Sequence, residues 1–542
     1  MNAKLERERE ALRARIWSIA DELRGAVDGW DFKYYVLGAM FYRYHSEKLE
    51  HYVDCGEREA GNALFPGYAK LSDDQAVGVE EGLIDELGYF VLPSELFRNV
   101  VKRASDEGKG QKPVLNETLE KIFKRIVESA RGTESEGRFV GLFDDFNANS
   151  AKLGSSLKLR NERLVKLLEG VAKMELNSPD DPHLDIDDFG DAYEYLMAMY
   201  ASNAGKSGGE FFTPADVSVL LSRLGTIGRK SVNKVYDPAC GSGSLLLKSL
   251  QVLGKNGVKD GFWGQEINLT TYNLCRINMF VHNVPFDRFH IECDDTLVSP
   301  KFLEEGSRGA FDLIVSNPPY SIKWEGDGNE LLINDARYAP AGALAPQGNA
   351  DLAFVMHSLY YLAPKGSAAI VCFPGIMYRG GAEGKIRQYL VDQGFVDAVL
   401  LLPDNLFFGT SIATCVLVLR KGRKKGDGVL FIDATNECVK ITNNNKLTPE
   451  NIDRIVQTAT DRVDVEGFAR LVSIDEIRKN DYNLSVTSYV QAESEEDGVD
   501  IRALNREIEE IVERQRKLRE SIDAIIADIE GNGNPGKTSR AR

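Results

Sequence analysis

Several short apolar runs in this sequence are followed directly by side chains that can do hydrogen-bond chemistry. Asp237 opens the segment Asp-Pro-Ala-Cys-Gly-Ser-Gly at 237–243, and Glu266, Asp294 and Asp295 follow later runs. A carboxylate in such a position can accept hydrogen bonds from the hydroxyls of a ribose, and either aspartate can accept one from the exocyclic amine of adenine. These residues predict a pocket for a nucleoside-like ligand, although a carboxylate at a strand end is commonly only solvated.

The glycine-rich segment 237–243 predicts a tight turn between a strand and a helix. Glycine has no Cβ, so the backbone at Gly241 and Gly243 can approach a ligand closely. A dinucleotide-binding turn has a third glycine three residues after the second, where this chain has Leu246. NAD and FAD are therefore disfavoured, and a tight turn would need glycines even without a ligand.

The segment Asn317-Pro318-Pro319-Tyr320 is the most specific motif, and it follows the apolar run 311–316. Two prolines remove two backbone donors and stiffen the turn, so the Asn317 side-chain oxygen and the neighbouring carbonyl form a rigid pair of acceptors. Such a pair suits the two hydrogens of a planar amino group. A proline turn that merely closes a strand is the alternative interpretation.

The elements that must position these motifs alternate between strands and helices from about residue 200 to 435. This rhythm is typical of an α/β fold with a mostly parallel sheet covered on both faces. Ligands of such sheets bind beyond the carboxyl ends of the strands, so we expect all the motifs at one edge. The predicted strands are 234–236, 261–265, 289–293, 311–316, 368–373, 396–402 and 414–419, with helices at 244–253, 269–281 and 351–362.

Residues 1 to about 195 show helical periodicity instead. Aromatic residues between 30 and 52 could stack on bases, but core packing is the favoured interpretation. The acidic stretch 180–188 lacks the ligand spacing of an EF-hand and is interpreted as a linker. Asn116 is expected to cap a helix. The predicted buried faces carry Leu12, Ile16, Ile19 and Leu23, and Leu119, Ile122, Phe123 and Ile126.

Near the C-terminal end of the chain, apolar residues recur at alternating spacings of three and four. This heptad pattern between charged faces favours a coiled coil with a partner helix, and a single helix packed on its own protein is the alternative. The positions are Ile501, Leu504, Ile508, Ile511, Leu518, Ile522, Ile525 and Ile529, with Gln515 at one core position.

Composition narrows the class of protein further. A chain of 542 residues predicts two to four domains, and its formal net charge of -17 has the wrong sign for holding nucleic acid by bulk electrostatics alone. Seven cysteines show neither zinc-ligand spacing nor a disulfide framework. With a charged start and no run of about 18 apolar residues, the chain is expected in the cytoplasm and not in a membrane.

Taken together, residues 200 to 420 resemble the amino-methylating class of S-adenosylmethionine-dependent DNA methyltransferases. The combination with a helical front and a heptad end resembles the modification subunit of type I restriction-modification systems. The resemblance rests on motifs in one order: Gly-Gly-Glu-Phe-Phe-Thr-Pro at 208–214, the segments 237–243 and 317–320, Gly-Asn-Ala-Asp-Leu-Ala-Phe at 348–354 and Leu-Pro-Asp-Asn-Leu-Phe at 402–407. It implies a Rossmann-like methyltransferase domain at 196–485, an N-terminal all-α domain at 1–195 and a C-terminal coiled-coil helix at 486–542.

The resemblance also implies S-adenosylmethionine as cofactor and assigns roles to residues. Asp237 would lie near the cofactor's ammonium group, because a carboxylate beside a cation is favourable. Glu266 would hold the ribose and Asp295 the adenine amine, but the family usually has glycine where this chain has Asp294, which leaves open which aspartate contacts adenine. The implied cofactor-binding residues are Glu210, Phe211, Phe212, Thr213, Pro214, Ala215, Asp237, Gly241, Ser242, Gly243, Glu266 and Asp295; the catalytic residues are Asn317, Pro318, Pro319 and Tyr320, and no metal is implied.

The implied reaction is direct in-line transfer of a methyl group to the N6 nitrogen of adenine in double-stranded DNA. The base would rotate out of the duplex, with Tyr320 stacking on it and with Asn317 and the Pro318 carbonyl holding its amine. An exocyclic nitrogen attacks directly, so no cysteine nucleophile is needed. Cys240 is therefore expected to be a packing residue.

The sequence contains no segment that resembles a DNA-reading module. The resemblance accordingly implies a separate DNA-specificity subunit, flanked by two copies of this chain and docked through the C-terminal heptads. It leaves open the recognised DNA sequence, the preference for unmethylated or hemimethylated sites and the presence of a restriction nuclease subunit. The alternatives are a methyltransferase that acts on protein glutamine or RNA, and a cofactor-binding scaffold without turnover.

Overall fold

The computed structural model describes residue 14 and residues 32–107, 114–174, 176, 188–203, 213–254, 256–302, 310–407, 411–424, 426–441, 444–490 and 501–531. The chain forms two units, Met1–Val490 and Gln491–Arg542. The helix face predicted at residues 12–23 lies outside the described residues, and so does most of the acidic stretch 180–188.

Apolar strands form the centre of the larger unit. They are β1 Val232–Asp237, β2 Val258–Glu266, β3 Phe289–Cys293, β4 Phe311–Ser316, β5 Leu362–Cys372, β6 Val396–Leu401, β7 Cys415–Arg420, β8 Val429–Asp433, β9 Val439–Ile441, β10 Asn444–Lys446 and β11 Ala469–Val472. Within the described residues, nine of them form one sheet in the order β11-β8-β6-β7-β5-β4-β1-β2-β3, and β9 and β10 form a separate hairpin.

The sheet is mostly parallel, as the sequence predicts. Antiparallel pairs occur where β7 lies between β5 and β6 and where β11 lies beside β8. All seven predicted strands are present, whereas β8, β11 and the hairpin were not predicted. Alternate residues of the central strands enter two apolar clusters, with Val235 and Leu313 in one and Tyr236 and Ile314 in the other. Both faces of the sheet are therefore covered, which explains the continuous apolar runs.

Helices cover these faces and form the region before the sheet. The described helices are α1 Phe32–Glu59, α2 Asp73–Val77, α3 Glu80–Leu87, α4 Phe97–Glu107, α5 Leu115–Ser129, α6 Glu136–Phe139, α7 Leu157–Ala172, α8 Asp188–Asn203, α9 Ala215–Gly225, α10 Ser244–Leu253, α11 Leu269–Val281, α12 Glu330–Ile333, α13 Asp351–Tyr361, α14 Gly381–Asp392, α15 Pro449–Asp461, α16 Ile474–Lys479 and α17 Ile501–Gly531. None of the helices in this described part combines the length and the apolar character that a membrane crossing requires.

Most of the described aromatic side chains of α1 lie in the core, as the packing interpretation predicts, whereas Tyr52 is 42% exposed. Phe41 and Tyr42 are fully buried. The Phe41 ring lies 5.8 Å from that of Phe280 on α11, and the Phe139 ring lies 4.9 Å from the same side chain. The helical region and the sheet therefore share one apolar core. The predicted boundary at 195 falls within α8, and the division into domains stays a prediction.

Asn116 does not cap a helix, so that prediction is wrong. The residue before α5 is Val114, and Asn116 is buried in the first turn. Its amide donates to Asn149 Oδ1 at 2.5 Å, and its oxygen accepts from Asn161 Nδ2 at 2.8 Å. The Asn116 side chain therefore joins α5 to α7 through Asn161, and its polar atoms are used in these hydrogen bonds and not on the free amides at the start of α5. The apolar face predicted for this helix is buried as expected.

The second unit contains α17, which confirms the predicted C-terminal helix. Its apolar side chains that the structure describes are about half exposed: Ile508 by 50%, Ile511 by 52%, Leu518 by 59% and Ile522 by 55%. Exposed apolar residues on one helix face fit a helix that pairs with another. The coiled-coil pairing itself stays a prediction.

Candidate active site

The candidate site lies at the edge of the sheet where the parallel strands β1 to β4 end. The register places Asp237 of β1 opposite Gly264 of β2, and Glu266 of β2 opposite Cys293 of β3. β4 pairs with the other side of β1 in the same direction. The residues that end or follow these strands therefore meet at one edge, as expected for parallel strands.

Asp237 is the most unusual ionisable group of this edge. It is fully buried. Its Oδ1 accepts hydrogen bonds from the Ala239 amide at 3.0 Å and from the Ser316 hydroxyl at 2.8 Å. Its Oδ2 is buried and has no hydrogen-bond partner among the residues that the structure describes. Burial, together with the nearby Glu266 charge, raises the pKa of Asp237 to about 7.

The glycine turn after β1 is held tightly against α11. Gly241 and Gly243 have φ values of 53° and 80°, which glycine adopts without strain. A Cβ at Gly243 would lie 2.8 Å from Cys275 Sγ, which is closer than non-bonded atoms approach. The carbonyl of Ser242 accepts a hydrogen bond from Asn278 Nδ2 at 2.8 Å. Glycine is therefore required here by both conformation and space.

Glu266 at the end of β2 supports the same turn. One carboxylate oxygen accepts from the Gly241 amide at 3.0 Å and the other from the Asn268 amide at 2.9 Å. Burial raises its pKa, although these two hydrogen bonds oppose the shift. Each oxygen keeps a second acceptor position, so the carboxylate can also bind ligand hydroxyls.

Asp294 and Asp295 differ in how many hydrogen bonds their carboxylates already accept from the protein. Both oxygens of Asp294 are engaged: Oδ1 accepts from the Asp295 amide, and Oδ2 accepts from Ser299 and pairs with Lys301 at 2.5 Å. Hydrogen bonding to Lys301 lowers the pKa of Asp294. Asp295 accepts the Leu297 amide on Oδ1 at 2.8 Å. The geometry thus leaves Asp295 more acceptor capacity than Asp294.

The Asn-Pro-Pro-Tyr turn directly follows β4, the neighbour of β1. Asn317 Nδ2 donates to the Thr213 hydroxyl at 3.1 Å, and the Tyr320 hydroxyl donates to Asn317 Oδ1 at 2.5 Å. The Tyr320 ring makes a T-shaped contact with Phe407 at 6.4 Å. Because its nitrogen is engaged by Thr213, the Asn317 amide presents its oxygen as the acceptor.

Thr213, Pro214 and Ala215 link this turn to α9. Thr213 is buried against Asn317, Pro214 is the cap residue of α9, and Ala215 begins the helix. Asp216 fastens α9 by accepting hydrogen bonds from its neighbour Val217 and from Leu447. The predicted cofactor residues Glu210, Phe211 and Phe212 lie outside the described residues.

Sequence reasoning missed side chains that hold these motifs in place. Ser316 contacts Asp237 across β4 and β1. Asp351 accepts a hydrogen bond from the Ser321 amide at 3.0 Å and so fixes the backbone after Tyr320. Asp351 lies within the motif 348–354, which supported the resemblance but assigned no role to this residue. Nothing in the sequence pointed to Ser316, because only the order of strands in the sheet reveals its partner.

The family models agree with the order of elements and motifs. The model described as N-6 DNA Methylase matches residues 184–498, and the one described as HsdM N-terminal domain matches residues 12–171. With the mostly parallel sheet and the Asn-Pro-Pro-Tyr turn at its edge, the chain belongs to the N-6 DNA methylase family. Within that family it is a modification subunit of the type I restriction-modification class, because relatives that match over most of its length are type I methylase subunits.

Relatives of this class extend over most of the chain. The type I restriction enzyme MpnII methylase subunit of Mycoplasma pneumoniae is 48% identical over 539 residues, which are 98% of each chain. The MjaVII methylase subunit of Methanocaldococcus jannaschii is 32% identical over 86% of this chain and 80% of its own. A crystal structure of the type I methyltransferase subunit from Streptococcus thermophilus shares 34% identity with a TM-score of 0.79, covering 89% of this chain and all of that one.

Proposed function

We propose that this chain transfers a methyl group from S-adenosylmethionine to the N6 nitrogen of adenine in double-stranded DNA, as the modification subunit of a complex with a separate specificity subunit. The observation that carries the proposal is the Asn317 oxygen, presented by a proline turn that directly follows Ser316, whose hydroxyl contacts buried Asp237. Family membership supplies the class of reaction, and the site supplies the residues for it.

The residues at the ends of β1 to β3 fit the cofactor. Asp237 Oδ2 is a buried, unpartnered carboxylate oxygen among the described residues, and a cation such as the ammonium group of the cofactor would stabilise it. Glu266 has acceptor positions for the ribose hydroxyls. Asp295, with more free capacity than Asp294, would accept from the adenine amine. The predicted segments 210–215 and 241–243 would enclose the methionine part.

The Asn-Pro-Pro-Tyr turn fits the target amine. S-adenosylmethionine supplies an electrophilic methyl group on a sulfonium centre when bound. The Asn317 oxygen has a second lone pair beside the Tyr320 hydroxyl, so it and the Pro318 carbonyl can accept the two amine hydrogens. These bonds increase electron density on the nitrogen and hold it for in-line attack on the methyl carbon. The nitrogen, once it has gained the methyl group, would release one of its two hydrogens to water as a proton. Tyr320 would stack on the base.

The target adenine must leave the duplex to reach this pocket, since its amine is paired and stacked there. The Tyr320 ring is half-buried and contacts Phe407. Its remaining surface can therefore accept an extruded base. Stacking and the two hydrogen bonds to the amine offset the cost of unstacking, which amounts to a few kcal/mol.

Sequence recognition is assigned to a partner. The net charge of -17 disfavours tight DNA binding by this chain alone. The exposed apolar face of α17 supports docking to a helix of the specificity subunit, with a second copy of this chain on its other side. A restriction nuclease subunit is compatible with the class, and the relatives are named as subunits of type I restriction enzymes.

The direct test replaces Asn317 by alanine in the complex with its specificity subunit. Methylation of a duplex bearing the recognised site is expected to fall by at least about a hundredfold, because removal of one acceptor at a developing charge typically costs that much. Affinity for S-adenosylhomocysteine should change less than threefold in calorimetry. Asn62→Ala, at an exposed position in the helical region, is the matched control and should retain activity.

A substrate panel separates this proposal from its alternatives. Labelled cofactor is offered with duplex DNA, with RNA and with glutamine-containing protein, and adenine N6 is identified as the product by mass spectrometry. Methyl transfer to RNA or protein alone would contradict the DNA assignment. Full DNA methylation by Asn317→Ala would contradict the catalytic assignment, and cofactor binding without any transfer would indicate a scaffold.

A further inference from the structure

Residues 321–350 form a long loop between Tyr320 and α13. The two ends of the loop lie close together, since Asp351 at the start of α13 accepts a hydrogen bond from the Ser321 amide. The Ala350 amide donates to the Ile322 carbonyl at 3.0 Å and the Trp324 amide to the Gln347 carbonyl at 3.0 Å. These two bonds close the loop at its base. We call it the 321–350 loop.

Arg337 of the 321–350 loop is almost completely buried, with 2% of its surface exposed. A guanidinium has five N–H donors, and each of them has an acceptor here. Nε donates to Asp335 at 3.0 Å; one terminal nitrogen donates to the Thr296 carbonyl at 2.9 Å and to His357 at 3.1 Å; the other donates to the Leu297 carbonyl at 2.8 Å and to Asp335 at 2.7 Å.

His357 supports Arg337 from α13 as a neutral imidazole. It is fully buried, and burial beside the guanidinium lowers its pKa well below the ordinary value. Because a guanidinium only donates, Nδ1 of His357 accepts from it and Nε2 carries the hydrogen. Nε2 lies 2.9 Å from the Tyr236 hydroxyl on β1, so it donates to that oxygen. Arg337 is thereby fixed to the centre of the sheet.

The partners of Arg337 lead directly to the proposed adenine site. The Thr296 carbonyl and the Leu297 amide belong to one peptide group. Arg337 holds the carbonyl of that group, and its N–H donates to Asp295 Oδ1 at 2.8 Å. Tyr338, the neighbour of Arg337, donates its hydroxyl to the Leu297 carbonyl at 3.0 Å. The position of the Asp295 carboxylate thus depends on the 321–350 loop.

We infer that Arg337 is a positioning residue for the cofactor, which orients Asp295 toward the adenine amine through the peptide group between Thr296 and Leu297. This inference rests on the proposed function and names a residue that the motifs did not include. It also connects the two substrates, because the same loop begins directly after Tyr320. A lysine could not replace Arg337, since it has three donors and no planar fork to reach both carbonyls and Asp335.

The experiment compares two ligands in the full chain: S-adenosylhomocysteine and its analogue with hydrogen in place of the 6-amino group. Calorimetry gives the ratio of their dissociation constants, which reports the hydrogen bond to the adenine amine. The wild type is expected to prefer the amine by about tenfold. Both Arg337→Lys and Asp295→Asn should bring the ratio close to one, and the double variant should lower it no further.

Arg43→Lys is the matched control for loss of a buried guanidinium. Arg43 is also buried, pairs with Glu47 at 2.6 Å and donates to the Val171 and Met174 carbonyls at 2.7 and 2.9 Å, but it lies in the helical region. We expect this variant to lose stability and to keep the wild-type ratio. A merely structural role for Arg337 would give the same result for Arg337→Lys.

The outcomes separate this inference from the proposed function. If Asp295→Asn loses the preference and Arg337→Lys keeps it, the inference is overturned and the cofactor assignment stands. If neither ligand binds the wild type, or Asp295→Asn keeps the preference, the assignment of the cofactor site fails and the inference with it. Should Arg337→Lys not fold, Asp335→Asn weakens the hold on Arg337, because this carboxylate accepts from two of its nitrogens, and should lower the ratio by a smaller factor; an unchanged ratio overturns the inference.

Discussion

At the scale of single residues, Asp237 combines poor conditions for folding with good conditions for binding. A carboxylate that is fully buried and has one unpartnered oxygen among the described residues destabilises the folded chain when it ionises. Because the same oxygen is buried, a ligand cation can bind it without competition from water. Asp237 therefore lowers the stability of the free protein and raises its affinity for the cofactor, as residues of functional sites often do.

Asp237→Asn is predicted to change the pH dependence of stability and of binding in opposite directions. Folding raises the pKa of Asp237 from 3.8 to about 7, so its contribution to the free energy of unfolding is lost as the pH rises through this range. The loss is on the order of 4 kcal/mol as an upper bound. Denaturation from pH 5 to 8 should show a steeper decline for the wild type than for the variant.

Cofactor affinity provides the complementary measurement. The ionised carboxylate binds the ammonium group, so wild-type affinity for S-adenosylhomocysteine should rise between pH 6 and 8. The variant should bind at least about tenfold more weakly and show a flatter profile. Asp85→Asn, at an exposed position, serves as the control and should follow the wild type. Parallel profiles for Asp237→Asn and the wild type would contradict the role of this carboxylate.

At the scale of elements, the sequence was informative wherever a run was buried on both faces. β4 to β7 were predicted because buried apolar residues follow one another in them, whereas β1 to β3 carry shorter apolar runs and were predicted from the alternation of strands with helices. β8, with Val429-Leu430-Phe431-Ile432, carries the same signal and could have been predicted. β11 has four residues, two of them exposed, and gives no distinctive pattern.

The motifs were predictable because rigid turns require particular residue types, as with the glycines at 241 and 243. The side chains that hold these motifs in place could not be predicted, because hydrogen bonds between residues distant in sequence leave no local pattern. Ser316 meets Asp237 only because β4 lies beside β1, and Arg337 meets Thr296 only because the 321–350 loop folds back onto residues 296–297. Asn116 likewise bonds across to α7 instead of capping its own helix.

Two glycines with the same backbone conformation permit a clean prediction about the turn after β1. Gly243 and Gly342 both adopt the left-handed conformation, with φ and ψ of 80° and 9° at Gly243 and of 65° and 13° at Gly342. A Cβ at Gly243 would contact Cys275 and Met279, whereas one at Gly342 would meet open space. Gly342→Ala should therefore cost about 1 kcal/mol from backbone strain alone. Gly243→Ala adds an overpacking cost of about 1 to 3 kcal/mol. Chemical denaturation of both variants measures the difference.

Equal losses for the two alanine variants would show that Cys275 and Met279 yield without cost. A rescue experiment then separates the two contributions. Cys275→Ala in the Gly243→Ala chain removes the sulfur that lies 2.8 Å from the new Cβ, so part of the lost stability should return. The same substitution in the Gly342→Ala chain should restore nothing, because no described atom lies within 4 Å of that Cβ.

At the scale of the whole molecule, the fold places the proposed cofactor and target residues in this chain, whereas its charge leaves DNA capture to a partner. The larger unit carries the complete edge of strand ends, with its cofactor and target residues. The net charge of -17 makes independent capture of DNA unfavourable. The heptads of α17 are about half exposed where their side chains are described, so a partner helix can bury them. Methylation of DNA should accordingly depend on assembly, while cofactor binding should not.

Substitution of Ile511 and Leu518 by aspartate in α17 tests this division. Both side chains are more than half exposed, so the helix and the larger unit should fold unchanged, but two carboxylates in a coiled-coil seam would be buried without partners. We expect the double variant to bind S-adenosylhomocysteine as the wild type does and to lose co-elution with the specificity subunit and site-specific methylation. Deletion of residues 500–530 should act likewise. Alanines at the preceding positions, Glu510 and Lys517, lie outside the seam and should preserve assembly; site-specific methylation by the aspartate variant would refute the docking role.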